Sequence, residues 1–503
     1  MKYTPKIGME IHIQPKTESK MFCRCKNEFN ALKPNKNICE ICTGQPGTLP
    51  ATNKKAVQLI IKAGLALNCQ ISPKVHWDRK HYFYPDLPKG YQLTQNETPL
   101  CKNGYLEYEY ENEKGAIETK KILINRLHLE EDAGKDTHPK GADYSLVDFN
   151  RAGAPLIELV TEPVIENKEQ AVAFCKELQK IFRYLKVSDA DMEKGQMRCE
   201  VNISLGKDAK DGTKVEIKNI NSFKGVVKSI EYEIKRQSEL LDKSEKVIRE
   251  TRGWNAKKQK TLSQRGKEEA HDYRYFPEPD IPPLNISKGM IKTIKNSIVE
   301  LPNQKKRRFI KNYNISKESA QIIVNDFKMA AFFENSVSEL KAWIKNDKKI
   351  DQKETPKLIK LCANYLTTDL AKLVSESSLD FSNLKITEEN FAELMLITYK
   401  KQINSSAAQT VLSEMFKKGG DPSQIIEEKN LKVEKNQNII VKAVEEVVKE
   451  NPKAVEDFKN GKEKSLQFLM GQVMKKTKGK ADPKTAVELI KSKIQIEPLP
   501  NRL

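Results

Sequence analysis

The sequence predicts an α+β fold, in which one large mixed-sheet domain is followed by an all-α helical domain and a helical C-terminal tail domain. Within the first part, four segments alternate apolar and polar side chains with the period of two that is typical of β-strands; they are 7–13, 122–129, 198–205 and 214–220. From about residue 296 onward strand signals disappear, and apolar residues recur with helical spacing. The proline-dense run Phe276–Pro283 indicates a rigid, extended passage near this change. We therefore predict domains at residues 1–295, 296–400 and 401–503.

Composition narrows the class of protein. The chain has 503 residues, enough for about three domains of about 150 residues each. A formal net charge of +19 indicates a polyanionic partner, with nucleic acid as the first candidate, although a lysine-rich composition spread along the chain is the alternative reading. Five of the nine cysteines are scattered without a disulfide framework, which is typical of a reducing cytosol. With no signal peptide and no apolar stretch near the ~20 residues that span a bilayer, we expect a cytoplasmic protein without a membrane segment.

Helices are predicted on both sides of the domain change. Segments 53–67 and 168–186 each place their apolar residues on one face. Asn167 is a suitable N-cap for the second of these helices, with Gln170 at the third helical position. Near the C-terminus, Asp482 can cap a helix that begins with Pro483.

Four cysteines form the most specific local pattern. Cys23 and Cys25 are followed, after thirteen residues, by Cys39 and Cys42. Two close pairs separated by a short polar loop can surround one tetrahedral Zn²⁺ with four thiolates. Such a closed site is structural and leaves no coordination position for chemistry. Four unligated thiols are the alternative, and in either case the catalytic groups have to lie elsewhere.

Glu10 and His12 lie two residues apart on a predicted strand, so their side chains share one face. A carboxylate beside an imidazole can bind a divalent cation or transfer a proton. Surface strands also expose such pairs without a function, and the pair alone does not decide between these interpretations.

A second acidic segment follows the strand at 122–129. Alternation places Arg126, His128 and Glu130 on one face, and leaves Glu131 at the end of the strand. Consecutive acids are costly to crowd unless a cation or solvent screens them. A metal-binding strand end and a solvated acidic turn both remain open for this segment.

Two further strands carry acids on their polar faces. Glu200 lies in the first, and Glu216 shares its face with Lys214 and Lys218 in the second. Taken singly, this is ordinary strand patterning. Together with the two segments above, the four strands could surround Mg²⁺, which prefers oxygen ligands, and nearby lysine and arginine side chains would suit the phosphates of ATP.

The run Trp77–Asp86 interleaves basic and aromatic residues. Such a segment can stack a base or ribose and contact a phosphate. A core strand with buried aromatic side chains is the alternative. The sequence contains no P-loop, kinase glycine loop, dinucleotide fingerprint or Gly-x-Ser-x-Gly nucleophile motif. An ATP site in this chain would therefore be of a non-standard type.

These same segments resemble one family closely, the GatB subunit of the aspartyl/glutamyl-tRNA(Asn/Gln) amidotransferase. The matching runs stand in family order: IGMEIH at 7–12, YFYPD at 82–86, RLHLEEDAGK at 126–135, LVDFNRAGAPLIE at 146–158, RCEVNIS at 198–204, EIKNINSF at 216–223 and DYRYFPEPDIPP at 272–283. The helical remainder resembles the family's C-terminal half and ends in FLMGQVM at 468–474 and GKADP at 479–483. The resemblance covers essentially the whole chain.

The resemblance implies a fold, an activity and partners. The first domain would be a cradle that binds mischarged Glu-tRNA(Gln) or Asp-tRNA(Asn), and the helical tail would contact the body of the tRNA. ATP would phosphorylate the side-chain carboxylate of the attached amino acid. Ammonia, released from glutamine by a separate amidase (glutaminase) subunit, would then displace phosphate to give Gln-tRNA(Gln) or Asn-tRNA(Asn). A small third subunit would complete a heterotrimer.

The resemblance also implies site residues by motif position. The catalytic Mg²⁺ ligands would be Glu10, His12, Glu131, Glu200 and Glu216. Side chains that bind the cofactor ATP would be Lys80, Tyr82, Tyr84, Arg151 and Lys218. The cysteine pattern is similar to that of members with a zinc knuckle, here an insertion at residues 23–42. A non-catalytic, zinc-containing tRNA-binding protein is the first alternative, and a stand-alone metal-dependent hydrolase, which would need an open zinc site, is the second.

Overall fold

The computed structural model describes residues 3–28, 33–207, 212–266, 270–346, 351–433, 437–477, 481 and 483–495. The chain divides into two compact units, Met1–Pro302 and Asn303–Leu503. The first unit is built on a large sheet and the second is helical, so the predicted α+β class is confirmed. The predicted cap Asp482 lies outside the described residues, as do Gly479 and Lys480 of the GKADP run.

The first unit contains sixteen described strands and four α-helices. The strands are β1 Thr4–Ile13, β2 Gln70–Ile71, β3 Lys74–Val75, β4 Asp78–His81, β5 Tyr91–Thr94, β6 Cys101–Glu111, β7 Ile117–Glu131, β8 Lys135–Thr137, β9 Leu146–Asp148, β10 Pro155–Thr161, β11 Met197–Gly206, β12 Val215–Ile220, β13 Glu250–Asn255, β14 Lys260–Gly266, β15 Phe276–Pro277 and β16 Leu284–Asn285. The helices are α1 Lys54–Ala66, α2 Lys168–Tyr184, α3 Phe223–Asp242 and α4 Lys288–Asn296.

Nine of these strands form one sheet in the order β14-β13-β12-β11-β1-β10-β7-β6-β2. Its described neighbours pair antiparallel except for β12 and β13, which are parallel, so the sheet is mixed as predicted. β1 lies in the middle, between β10 and β11. The three-stranded sheet β15-β4-β5 is separate and attaches the proline-dense segment to β4.

Local sequence signals explain where the first helices begin. The side chain of Asn53 accepts a hydrogen bond from the N–H of Ala56 and caps α1, and Asn167 accepts one from the N–H of Gln170 and caps α2. One hydrophobic core unites the inward face of the large sheet with these helices. The opposite face of β1 carries its polar residues, because side chains alternate along a strand.

The second unit is helical throughout its described residues. Its α-helices are α5 Pro302–Tyr313, α6 Lys317–Asn325, α7 Phe327–Asn346, α8 Thr355–Tyr365, α9 Ala371–Ser375, α10 Glu388–Tyr399, α11 Ser405–Lys418, α12 Pro422–Glu428, α13 Gln437–Glu450, α14 Pro452–Lys459, α15 Glu463–Lys476 and α16 Pro483–Gln495. One hydrophobic cluster extends from Phe309 to Ile426 and another from Ile440 to Ile494. The predicted division at residues 400/401 stays a prediction.

Among the residues described here, no helix combines the length and the apolar character that crossing a membrane requires.

Candidate functional site

Acidic and imidazole side chains converge on the polar face of five adjacent strands, β12, β11, β1, β10 and β7. The strand register aligns them, because Glu10 lies directly opposite Glu200, and His12 lies opposite Glu158. Glu158 in turn lies opposite His128. Residues directly opposite on neighbouring strands bring their side chains within contact distance. We call this group, together with Glu130 and Glu216, the carboxylate cluster.

Three carboxylates of the cluster form one potential metal site. Single oxygens of Glu10, Glu200 and Glu216 lie within 4.8 Å of one another. The Lys218 ammonium lies 2.9 Å from an oxygen of Glu200 and 3.7 Å from one of Glu216, and the Thr251 hydroxyl donates a 2.8 Å hydrogen bond to Glu216. Hard divalent cations such as Mg²⁺ prefer an oxygen donor set of this kind.

The electrostatics of this site are those of crowded like charges. Burial, with added repulsion from Glu158 and Glu200, raises the pKa of Glu10 to about 7. Burial opposes the charge on Lys218, but attraction to the cluster's carboxylates outweighs it and raises the pKa of the ammonium. A bound divalent cation would relieve the repulsion between the carboxylates, so the donor set fits Mg²⁺.

Two histidines bridge the remaining acids. His12 Nε2 lies 3.4 Å from Glu130 Oε1 and 3.5 Å from Glu158 Oε2, and His128 Nε2 lies 3.4 Å from the same Glu158 oxygen. Burial disfavours a charged His12, but the two carboxylates outweigh it and raise the pKa of the ring well above its ordinary value. Burial likewise opposes ionisation of Glu158, whose pKa is nevertheless held well below the usual range by His128 and His12. The two imidazole rings thus alternate with the carboxylates of Glu130 and Glu158.

The structure does not bring Glu131 into the carboxylate cluster. Its carboxylate accepts hydrogen bonds from the Lys89 ammonium and, at 2.9 Å, from the backbone N–H of Leu93. It lines a different cavity, which also contains Cys42. Because Glu130 and Glu131 are consecutive residues of β7, their side chains point to opposite faces of the sheet. The placement that alternation predicts for Glu130 is the one observed, and the placement implied for Glu131 by the family resemblance is corrected.

The predicted ATP-binding residues do not share one location. Lys80 and Lys218 line a cavity of about 220 Å³ above the carboxylate cluster, with Lys80 Nζ 4.8 Å from the centre of the Tyr273 ring. Tyr82 lines another cavity, which also contains Phe83 and Phe276. Tyr84 is half exposed.

Arg151 lies apart from both cavities. Its guanidinium donates to the backbone oxygens of Ala133 and Gly134, at 2.9 and 2.6 Å, and its Nε lies 3.6 Å from an oxygen of Asp132. The structure therefore brings together Lys80 and Lys218, and it does not bring Tyr82, Tyr84 or Arg151 to the same cavity.

Sequence reasoning missed two contributors to the site. Glu158 contacts both histidines, but the side chains of its strand are buried on both faces. The sequence of this strand therefore does not alternate between apolar and polar residues, and alternation could not identify Glu158 as a site residue. The signal available was a single acid inside the apolar run Pro155–Thr161. Tyr275 lines the same cavity from the segment before β15, which only the tertiary fold brings there.

The four cysteines of the predicted knuckle do come together. The sulfur atoms of Cys23, Cys25, Cys39 and Cys42 all lie within 4.8 Å of one another. Cys42 Sγ accepts a 3.2 Å hydrogen bond from the N–H of Cys39 and lies 3.6 Å from the buried Lys20 ammonium. A hydrogen bond from Cys23, then the Cys39 N–H and Lys20, lower the pKa of Cys42 to about 5. Four convergent sulfurs with one favoured as thiolate fit a tetrahedral Zn²⁺.

Comparison with known families assigns the chain. Residues 5–292 match the GatB/GatE catalytic domain, and residues 348–494 match the GatB domain. The chain belongs to the GatB family. It is 47% identical over 492 residues to the GatB subunit of the aspartyl/glutamyl-tRNA(Asn/Gln) amidotransferase from Persephonella marina, covering 97% of this chain and 99% of the relative.

Other GatB relatives cover the chain equally well. Those of Thermodesulfovibrio yellowstonii and Caldicellulosiruptor saccharolyticus are 45% and 44% identical, covering 97% and 98% of this chain and 99% and 100% of the relatives. The resemblance drawn from the sequence motifs is confirmed. GatB relatives thus carry the name of one subunit of an amidotransferase that acts on aminoacyl-tRNA.

Proposed function

We propose that this chain carries the ATP-dependent transamidation centre of a glutamine-dependent amidotransferase, a ligase that converts Glu-tRNA(Gln) or Asp-tRNA(Asn) to Gln-tRNA(Gln) or Asn-tRNA(Asn). The observation that carries the proposal is the carboxylate cluster, in which five acids and two histidines from five strands meet beneath a polar cavity with two lysines. A protein that only bound tRNA would not need so many convergent, mutually repelling acids.

The proposed reaction has two steps. A side-chain carboxylate oxygen of the tRNA-bound amino acid attacks the γ-phosphorus of ATP, which forms an acyl phosphate and releases ADP. Ammonia then attacks the acyl carbon; the C–O bond to phosphate breaks, inorganic phosphate leaves, and the nitrogen loses a proton to give the amide. Mg²⁺, when bound, would supply positive charge beside the phosphate oxygens.

The chain's own residues have separable roles in this proposal. Glu10, Glu200 and Glu216 would hold the cation through their oxygens. Lys80 and Lys218, which line the cavity, would bind phosphate oxygens as point charges.

His12, which the resemblance implied as a Mg²⁺ ligand, has a ring nitrogen within 4.8 Å of oxygens of Glu10 and Glu158 and would add a nitrogen ligand to the cation. Without the cation, its ring is held by Glu130 and Glu158 and offers a proton donor at Nε2. Because these groups are preorganised on a rigid sheet, they need little rearrangement when charge develops on the transferred phosphoryl group.

Ammonia would come from another chain. The sequence has no recognisable nucleophile motif for glutamine hydrolysis, and the relatives are named as one subunit of a larger enzyme. We therefore assign glutamine hydrolysis to a separate amidase (glutaminase) chain, with a small third chain completing a heterotrimer. The net charge of +19 supports tRNA as the polyanionic substrate. The four cysteines would bind a structural Zn²⁺ that stabilises the knuckle.

The test is conversion of Glu-tRNA(Gln) to Gln-tRNA(Gln) by the chain co-expressed with its partner subunits. Glutamine and ammonium chloride are supplied in parallel, with and without ATP, and Glu10→Ala is compared with Glu193→Gln, which changes an exposed acid away from the cluster. We expect Glu10→Ala to lose conversion with both nitrogen donors while it still binds tRNA. Normal conversion by Glu10→Ala would contradict the proposal and favour a tRNA-binding zinc protein.

A further inference from the structure

A second group of metal-type ligands lies outside the carboxylate cluster. His76 directly precedes Trp77 and β4, Asp78 is the first residue of β4, and Glu97 follows β5 by three residues. One ligand atom from each of the three residues lies within 4.8 Å of the others. None of them lines the cavity above the carboxylate cluster.

The distances within this group match a tetrahedral metal site. His76 Nε2 lies 3.3 Å from Asp78 Oδ1 and 3.5 Å from Glu97 Oε2. With metal–nitrogen and metal–oxygen bonds of about 2.0–2.2 Å, the edge of a zinc tetrahedron measures about 3.3–3.6 Å. An octahedral Mg²⁺ site would bring neighbouring ligands to about 2.9 Å and rarely uses imidazole.

Hydrogen bonds orient the His76 ring and the Asp78 carboxylate so that one atom of each faces the other. His76 Nδ1 lies 3.2 Å from the Thr98 hydroxyl, which is also the acceptor for the backbone N–H of His76. Asp78, 1% exposed, uses Oδ2 to accept the backbone N–H groups of Asn96 and Glu97, which leaves Oδ1 directed at the imidazole. Metal-bound histidines commonly fix their tautomer by such a hydrogen bond from the other ring nitrogen.

The imidazole nitrogen that faces the two acids is the decisive atom. His76 Nε2 is buried, and within the described part of the chain it makes no hydrogen bond. In the tautomer that carries its proton on Nδ1, Nε2 presents a lone pair to two carboxylate oxygens, and a cation between these three atoms would relieve their repulsion. A proton on Nε2 would instead make the contacts of 3.3 and 3.5 Å ion pairs with Asp78 and Glu97, in which case no zinc would bind at this group.

We propose that His76, Asp78 and Glu97 bind one Zn²⁺ through a nitrogen and two carboxylate oxygens, with water as the fourth ligand. The ion would fasten the start of β4 to the turn after β5. That turn supplies Gln95 and Asn96 to the wall of the cavity above the carboxylate cluster. The ion would therefore hold this turn in place close to the proposed active site, and its binding does not depend on the proposed transamidation.

Zinc uptake by the full-length chain tests this site. The wild-type chain, His76→Gln and Glu97→Gln are dialysed against a buffer with micromolar free Zn²⁺ and millimolar Mg²⁺, and bound zinc is counted by mass spectrometry. His138→Gln is the matched control, since His138 is exposed and its Nδ1 contacts the Ser145 hydroxyl. We expect His76→Gln to retain one zinc fewer per chain than the wild type and the control.

Glu97→Gln serves as the second test variant if His76→Gln folds poorly, because the Glu97 side chain is 66% exposed and its substitution should not disturb folding. Loss of this ligand should weaken the uptake of that zinc by at least about tenfold. Equal zinc content and equal affinity in all four proteins would overturn the proposal. In crystals grown with zinc, an anomalous difference peak beside His76 Nε2 is the expected result, and its absence while the cysteine site is occupied would likewise refute the site.

Discussion

Arg79 and Glu278 form an ion pair that attaches the segment before the second unit to β4. Arg79 donates hydrogen bonds of 2.7 and 2.9 Å to the two carboxylate oxygens of Glu278, one of which also accepts the N–H of Asp280 at 2.8 Å. The Glu278 side chain is fully buried, while 20% of Arg79 remains exposed. We predict that removing either partner destabilises the first unit, and by unequal amounts.

The magnitude follows from what each change leaves behind. Breaking a buried pair costs about 3–5 kcal/mol. Glu278→Leu should fall near the lower end, about 3 kcal/mol, because Arg79 keeps partial hydration and lies 3.4 Å from Asp280. Arg79→Met should cost more, about 4–5 kcal/mol, because it leaves a buried carboxylate with the Asp280 N–H as its remaining donor among the contacts described here.

The double variant Arg79→Met, Glu278→Leu isolates the interaction. Since two apolar side chains of similar size replace the pair, it should be no more than about 1 kcal/mol less stable than the wild type. The assay is urea unfolding followed by tryptophan fluorescence in a Trp343→Phe background, which leaves Trp77 and Trp254, both in the first unit, as reporters. Additive losses in the double variant, or a loss below about 1 kcal/mol in Glu278→Leu, would refute the reasoning.

Three further predictions concern the carboxylate cluster and the four cysteines. Glu130→Gln should weaken Mg²⁺ binding by about 10- to 100-fold in calorimetric titration, because Glu130 contacts His12 in the carboxylate cluster. Glu131→Gln should leave Mg²⁺ binding unchanged, because the Glu131 carboxylate faces Lys89. A larger effect of Glu131→Gln than of Glu130→Gln would contradict these positions of the two side chains. Burial and neighbouring carboxylates raise the pKa of Glu10 from 4.5 to about 7, so the metal-free folded protein holds more protons than the unfolded chain and loses stability as pH rises through this range. In EDTA, the melting temperature of Glu10→Gln should therefore fall less steeply with pH than that of the wild type. An equally steep fall in both proteins would contradict the raised pKa of Glu10. A zinc chelator should lower the melting temperature of the wild type and have a smaller effect on Cys25→Ser, while equal effects on the two proteins would exclude zinc at the cysteines.

Much of the sheet could be predicted because its strands have one buried and one polar face. The segments 7–13 and 198–205 lie in β1 and β11, and the shared face of Glu10 and His12 is observed. The same period of two favoured Glu130, whose position in the cluster the structure confirms.

The remainder depended on contacts that no local period encodes. β10 is buried on both faces, so the apolar run around Glu158 looked like core. Arg151 was predicted to bind a phosphate, but its guanidinium donates hydrogen bonds to the backbone oxygens of Ala133 and Gly134. These residues lie eighteen and seventeen positions earlier in the chain. The sequence patterns also could not show that β1 would lie in the middle of the sheet, because strand order is set by long-range pairing.

The central position of β1 has a consequence for how this chain is made. β1 leaves the ribosome before both of its partners, because these are Pro155–Thr161 and Met197–Gly206, which follow it in the chain. At synthesis rates of about 5–20 residues per second, β1 is made about 10–40 s before its second partner is complete. During that time Ile7, Met9 and Ile11, all fully buried in the finished protein, lack part of the hydrophobic core that covers them. The nascent chain should therefore depend on chaperones until residue 206 has emerged, and slowing translation upstream of that point should lower the yield of folded protein.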